Sequence, residues 1–167
     1  MWLRPSCQES HDHMKGREDI STNIAFHKPT EMSSLLEAPY FSCRGVDGIF
    51  TNDSIMHTVD ATTEWWCVDL EKTCNFREII LYNRNGSQDI SNRMIGFELR
   101  ISTSGKCDET TFNSTSLCYK DQQLTGQLVY NITDCNQVPS IQFLSRLIFI
   151  SPKQNEFINF RELVVRI

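Results

Sequence analysis

From Asn23 onward, apolar and polar residues alternate with the two-residue period of a strand that buries one face. The clearest case is Ile95, Phe97, Leu99 and Ile101, interleaved with Gly96, Glu98, Arg100 and Ser102. Residues 76–82 predict a second strand, ended by the polar run Asn83-Arg84-Asn85-Gly86. Residues 126–132, 146–150 and 160–167 predict three more. Short strands between loops rich in Asn, Ser and Gly indicate an all-β sandwich. No segment carries a persuasive amphipathic-helix pattern, and no repeat is evident. Trp65 and Trp66 are adjacent, so on a strand they face opposite ways and at least one belongs to the core.

The long loops are 38–64 and 83–94. Loops at one end of a sandwich lie beside each other, so these two can build one site from residues distant in sequence. Residues 1–22 are polar, mixed in charge and aperiodic, and are expected to form a flexible N-terminal tail ahead of one domain over 23–167. The His11-Asp12-His13 run in that segment has no further ligands around it and is read as solvated.

The length of 167 residues suits one domain with a real core, and 40% apolar content excludes disorder throughout. A net charge of −5 without a Lys/Arg cluster repels phosphate backbones, which argues against nucleic acid as a partner. Seven cysteines without C-x-x-C spacing point to disulfides in an oxidising compartment rather than to zinc or thioredoxin-type chemistry. Sequons at Asn52, Asn85, Asn113 and Asn131 agree with a secreted glycoprotein. The first residues hold no apolar signal core, and no stretch is long enough to span a membrane, so the secreted reading rests on the cysteines and on family resemblance, not on a visible address.

Several short motifs, in order and spacing, resemble the fucolectin (F-type lectin) family, within the galactose-binding-like and discoidin jelly-roll sandwiches. They are Asn23-Ile24-Ala25 with Lys28-Pro29-Thr30, Val46-Asp47-Gly48, Trp65-Trp66-Cys67-Val68-Asp69-Leu70, the strand running into Asn83-Arg84, and Phe160-Arg161-Glu162-Leu163-Val164-Val165. The resemblance implies a sugar site of one His and two Arg. His57 stands in Ser54-Ile55-Met56-His57-Thr58, where the family has S-C-T-H-T, and Arg84 follows 27 positions later. The second Arg is Arg93, nine residues after Arg84 where many members have seven, and the vicinal cysteine pair of that loop is absent. Two guanidinium forks and an imidazole offer a fan of donors to vicinal sugar hydroxyls. Read without the family, Arg84 bridges loops and Arg93 pairs with Asp89 or Glu98.

The resemblance also implies structural calcium. Its ligands would be the side chains of Asp47, Ser54 and Glu162 and the backbone carbonyls of Arg44, Ile49 and Arg161, an oxygen set suited to Ca²⁺. The plainer reading has Asp47 capping a turn with Gly48 and Glu162 on a solvated strand face. Many members join the Cys of S-C-T-H-T to one in the closing strand; here Ile55 and Arg161 occupy both positions. A second family bridge implies Cys118–Cys135. Cys43, Cys67, Cys74 and Cys107 have no partner named by the resemblance, and an odd count leaves at least one thiol free or intermolecular.

The resemblance thus implies a non-enzymatic, calcium-stabilised lectin for fucosylated or related glycans, possible roles including innate recognition. Weak single-site binding would gain from multivalency, for which a homo-oligomer is one route. The alternative is a discoidin-like adhesion module for protein or phospholipid, with Ile49-Phe50 or Leu35-Leu36 as apolar loop spikes. No carboxylate-pair motif, nucleophile elbow or metal-hydrolase signature supports an enzyme.

Overall fold

The computed structural model describes residues 23–138, 143–153 and 155–167. The tail assigned to residues 1–22, with Cys7 and the His11-Asp12-His13 run, lies outside them. Among the described residues nine strands form two antiparallel sheets. One sheet has β1 (Thr30–Met32), β3 (Trp66–Phe76), β8 (Phe143–Ser151), β5 (Glu98–Ser102) and β6 (Leu117–Lys120), adjacent in that order. The other has β2 (Met56–His57), β9 (Asn159–Arg166), β4 (Glu78–Asn83) and β7 (Val129–Ile132).

The core lies between the inner faces, and strand alternation fills it. From β3 come Trp66, Val68 and Leu70; from β9 come Phe160, Leu163 and Val165; Ile79 and Leu81 of β4 and Phe97 and Leu99 at β5 complete it. The opening motif closes this core. Asn23 Oδ1 accepts from Ala25 N at 3.1 Å and from Val165 N at 3.0 Å, so the chain enters the domain tied to its last strand.

The five-stranded sheet is apolar on its outer face as well. Trp65, Cys67, Leu147 and Phe149 form a second buried cluster with Phe112, which is supplied by a short helix, α2 (Glu109–Ser114). Asp108 caps that helix by accepting from Thr111 N at 2.8 Å. Cys67 and Cys107 are joined by a disulfide that fastens the helix to β3. Both tryptophans are therefore core, in different clusters. Cys118 and Cys135 form a second disulfide, and Cys74 is a buried free thiol.

Three expectations change. Residues 76–82 are not one strand: Phe76 ends β3 and stacks on Phe143, Arg77 turns the corner, and β4 begins at Glu78. The strand expected over 126–132 is confined to Val129–Ile132, because residues 126–128 are engaged as a docking segment. The chain is not free of helix, since α1 (Gln88–Ser91) and α2 are present, each too short for an apolar stripe to show in the sequence. Among the described residues no helix is long and apolar enough to cross a membrane.

Candidate functional site

His57 ends the two-residue strand β2, opposite Asn159 of β9. Its ring is buried between Tyr40, at 5.8 Å between centroids, and Phe157, edge-on at 5.2 Å. Nδ1 lies 2.7 Å from Thr58 O. A carbonyl can only accept, so Nδ1 carries the proton and the neutral ring leaves Nε2 as an acceptor. Burial holds the imidazole below its ordinary range, and the charges of Arg84 and Arg93 push the same way. The sequence suggested an imidazole donating to a sugar; this tautomer makes it receive a hydroxyl proton instead.

Arg84 follows the end of β4, and Arg93 lies in the 3-10 turn Asn92–Met94. Both are half-exposed, and the fold brings both into electrostatic range of His57. Arg93 stacks over Phe157 at 4.8 Å. It is not paired with Glu98, which binds Arg100 at 2.9 Å and Lys120 at 3.1 Å. Among the described residues neither guanidinium has an acceptor, so two half-exposed cations stand within electrostatic range of a buried, neutral imidazole. The two long loops meet here: Asn85 N donates to Asn52 Oδ1 at 3.1 Å, and Asn52 Nδ2 donates back to Asn85 O.

Phe157 and Tyr40 were not singled out from the sequence. A lone aromatic in a polar loop gives no periodic signal, and the sole hint is the position of Phe157 just before the closing strand. The apolar residues considered as loop spikes, Leu35, Leu36 and Ile49, are each 40% exposed, while Phe50 packs edge-on against Tyr82 at 4.7 Å.

Beside this surface lies a cradle of oxygens. Ser54 Oγ donates to Asp47 Oδ2, Ile49 N donates to Asp47 Oδ1 at 2.9 Å, and Gly48 N donates to Glu162 Oε2 at 3.1 Å. Gly48, at φ 79°, takes the left-handed conformation that this turn requires. Glu162 is 0% exposed rather than solvated, and its Oε1 has no partner. Burial and the neighbouring Asp47 carboxylate raise Glu162 far above the usual range, and burial raises Asp47.

Tyr82 lies opposite Glu162 and Asn83 opposite Phe160, which makes Arg161 the extra residue of a β-bulge. Its guanidinium donates to Asn83 O and, at 2.8 Å, to Phe50 O. Where many fucolectins have a disulfide, this arginine ties the cradle loop to the sheet. Arg44 Nη1 donates to Asp53 O at 2.9 Å, closing the other flank of the loop. Among the described residues no three His, Cys, Asp or Glu side chains cluster for a metal. This cradle has two carboxylates and a hydroxyl, and its buried carboxylate oxygen, unpartnered among the described residues, fits a hard divalent cation.

These features define a galactose-binding-like β-sandwich with a cationic surface at one end. A family model for the NedA-like, galactose-binding domain matches residues 44–139, and the chain belongs to that family. No curated protein matches it in sequence. Its fold is similar to that of the lectin domain of lectinolysin complexed with Lewis B antigen, at TM-score 0.68 and 24% identity over 87% of this chain and 96% of that one. A fucose-binding module of Streptococcus pneumoniae is similar at TM-score 0.68 and 22% identity, over 87% and 98%. So is an f-lectin (fucolectin) from the serum of striped bass, Morone saxatilis, at TM-score 0.68 and 23% identity; the match covers 86% of this chain and 46% of the fucolectin. At these identities the likeness is one of fold.

Proposed function

We propose that this chain is a lectin whose site for fucose-type sugars is His57, Arg84 and Arg93. The observation that carries the reading is two guanidiniums without an acceptor among the described residues, held beside a neutral imidazole at the loop end of the sandwich. Both arginines donate to vicinal or ring oxygens, while His57 Nε2 accepts from one hydroxyl, so donors and acceptor match a polyol rather than an anion alone. Tyr40 and Phe157, flanking His57, offer apolar surface to a C–H face. Each bond replaces one to water, so net gain per bond is about 1 kcal/mol and single-site binding is weak. The fold's likeness to modules that bind fucose or Lewis B supports this sugar class.

The reading includes calcium held by Asp47, Ser54 and Glu162 with carbonyls of Arg44, Ile49 and Arg161. When bound, the ion would supply positive charge to two buried carboxylates. The chain's own part is to keep the 44–54 loop against β9 and so fix the approach to His57. The Cys67–Cys107 and Cys118–Cys135 disulfides, four sequons and the serum source of the striped-bass fucolectin support a secreted protein.

Calorimetric titration of L-fucose into the oxidised protein, with calcium and with chelator, tests the proposal. Saturable heat that is stronger in calcium is expected. No heat in either condition would sink it.

A further inference from the structure

The segment from Arg84 to Arg93 carries both guanidiniums of the donor surface, yet no covalent staple holds it. An amide network does. Asn83, fully buried at the end of β4, uses its carboxamide as a fork: Nδ2 donates to Ser91 O at 3.0 Å and to Gln127 O at 2.9 Å, while Oδ1 accepts from Arg84 N at 2.8 Å. At the far end, Asn92 Oδ1 accepts from Gly126 N at 2.9 Å and from Gln88 Nε2 at 2.9 Å. Gln88 Nε2 also reaches Gly126 O at 3.3 Å.

Gly126 is where two backbones touch. A Cβ there would lie 2.0 Å from Ser91 O and 2.6 Å from Asn92 N, so only glycine permits the approach. Met94, on the other side of Arg93, is fully buried. Arg93 therefore stands between a residue clamped to Gly126 and a residue sunk in the core. Such a network, buried at Asn83, partly exposed at Asn92 and exposed at Gln88, is directional, and its buried end is costly to disturb.

We propose that Asn83, Asn92 and Gly126 are positioning residues, docking residues 88–92 onto the 126–128 segment so that Arg84 and Arg93 stay beside His57. Its consequence for sugar affinity rests on the lectin reading; the geometry it asserts does not.

The test therefore reads the geometry first, in sugar-free protein. Gly126→Ala and Asn92→Ala are compared with wild type and Arg93→Ala by NMR titration of the His57 ring. The groups facing that ring are Tyr40, Phe157, the Thr58 carbonyl, Arg84 and Arg93, and the arginines are its charged neighbours. If the network places them, both loop variants move the His57 midpoint upward, toward that of Arg93→Ala. L-fucose affinity then falls about tenfold in Gly126→Ala and about threefold in Asn92→Ala. An unchanged His57 midpoint in both, whatever happens to thermal stability, overturns the proposal. A moved midpoint in a protein that ignores L-fucose keeps the positioning role and removes the lectin reading. Should Gly126→Ala not fold, Asn92→Ala, which deletes one acceptor without a clash, decides the matter.

Discussion

At one end of the sandwich the 47–54 loop and the 84–93 loop lie side by side, joined by the Asn52–Asn85 pair, and they leave opposite groups unsatisfied. The first brings Asp47 against Glu162 of β9, two carboxylates that burial drives toward protonation, and Glu162 has an oxygen with no partner among the described residues. The second holds two guanidiniums with no acceptor among the described residues, within electrostatic range of His57, whose pKa is lowered. The first imbalance is buried, where an unpaired charge is costly, and the second is open to water, where it is cheap. On the proposed reading the difference matches each region to its ligand: a permanent cation for the buried oxygens and an exchangeable polyol for the exposed donors.

The sharpest way to break this contrast is Glu162→Gln. Without calcium the variant is expected to be at least as stable as wild type, since an amide relieves the repulsion with Asp47. With calcium at about a hundred times its Kd, wild type should gain about 2.7 kcal/mol that the variant does not. Thermal melts in calcium and in chelator read the crossing; parallel curves would mean that the cradle holds no ion.

Arg84→Ala acts on the other side. It should weaken L-fucose binding by about 1.5–3 kcal/mol, the worth of hydrogen bonds from a charged donor, while the calcium shift in the melt stays intact. Loss of both together would merge two regions that are held here to be separate.

A smaller effect comes from pH. The His57 pKa is lowered in the fold from its ordinary 6.5, so neutral Nε2 persists below that value. L-fucose affinity, measured by calorimetry, should be level above pH 6.5 and decline only as pH falls through the lower folded-state value, by about 1 kcal/mol for the lost acceptor. Apo stability follows the same sign: the unfolded chain takes up the proton first, so stability is full above 6.5 and is lost below it. Affinity that rises on acidification would refute the assigned tautomer. Smallest is Arg161→Met, expected to cost about 1 kcal/mol in a denaturant melt by freeing Phe50 O and Asn83 O, with little change in sugar affinity.

What could be read from the sequence was whatever repeats or matches a spaced motif. Alternation around Phe97 and Leu99 marked β5, and the Trp65-Trp66 pair announced a strand with two faces. The order of short motifs pointed to His57, Arg84 and Arg93, and the fold brings both arginines into electrostatic range of the histidine. The brace behind Arg93 was not legible, because Asn83 and Asn92 in a polar loop look the same whether buried or solvated. Helix α2 was equally hidden: its apolar side is the single residue Phe112, and its one local cue is the capping Asp108. The corner at Arg77 was missed because apolar residues continue on both sides of it, so periodicity carries no break.

The outer cluster of Trp65, Phe112, Leu147 and Phe149 has a consequence for how the molecule comes apart. A sheet that is apolar on both faces can shed one layer while keeping the other. Cys67–Cys107 is a covalent tie between helix α2 and the sheet across that layer, so its reduction would loosen the cover over an aromatic face. The redox state of its surroundings would then govern whether the protein stays dispersed or self-associates, through a face remote in kind from the loops that are proposed to hold sugar.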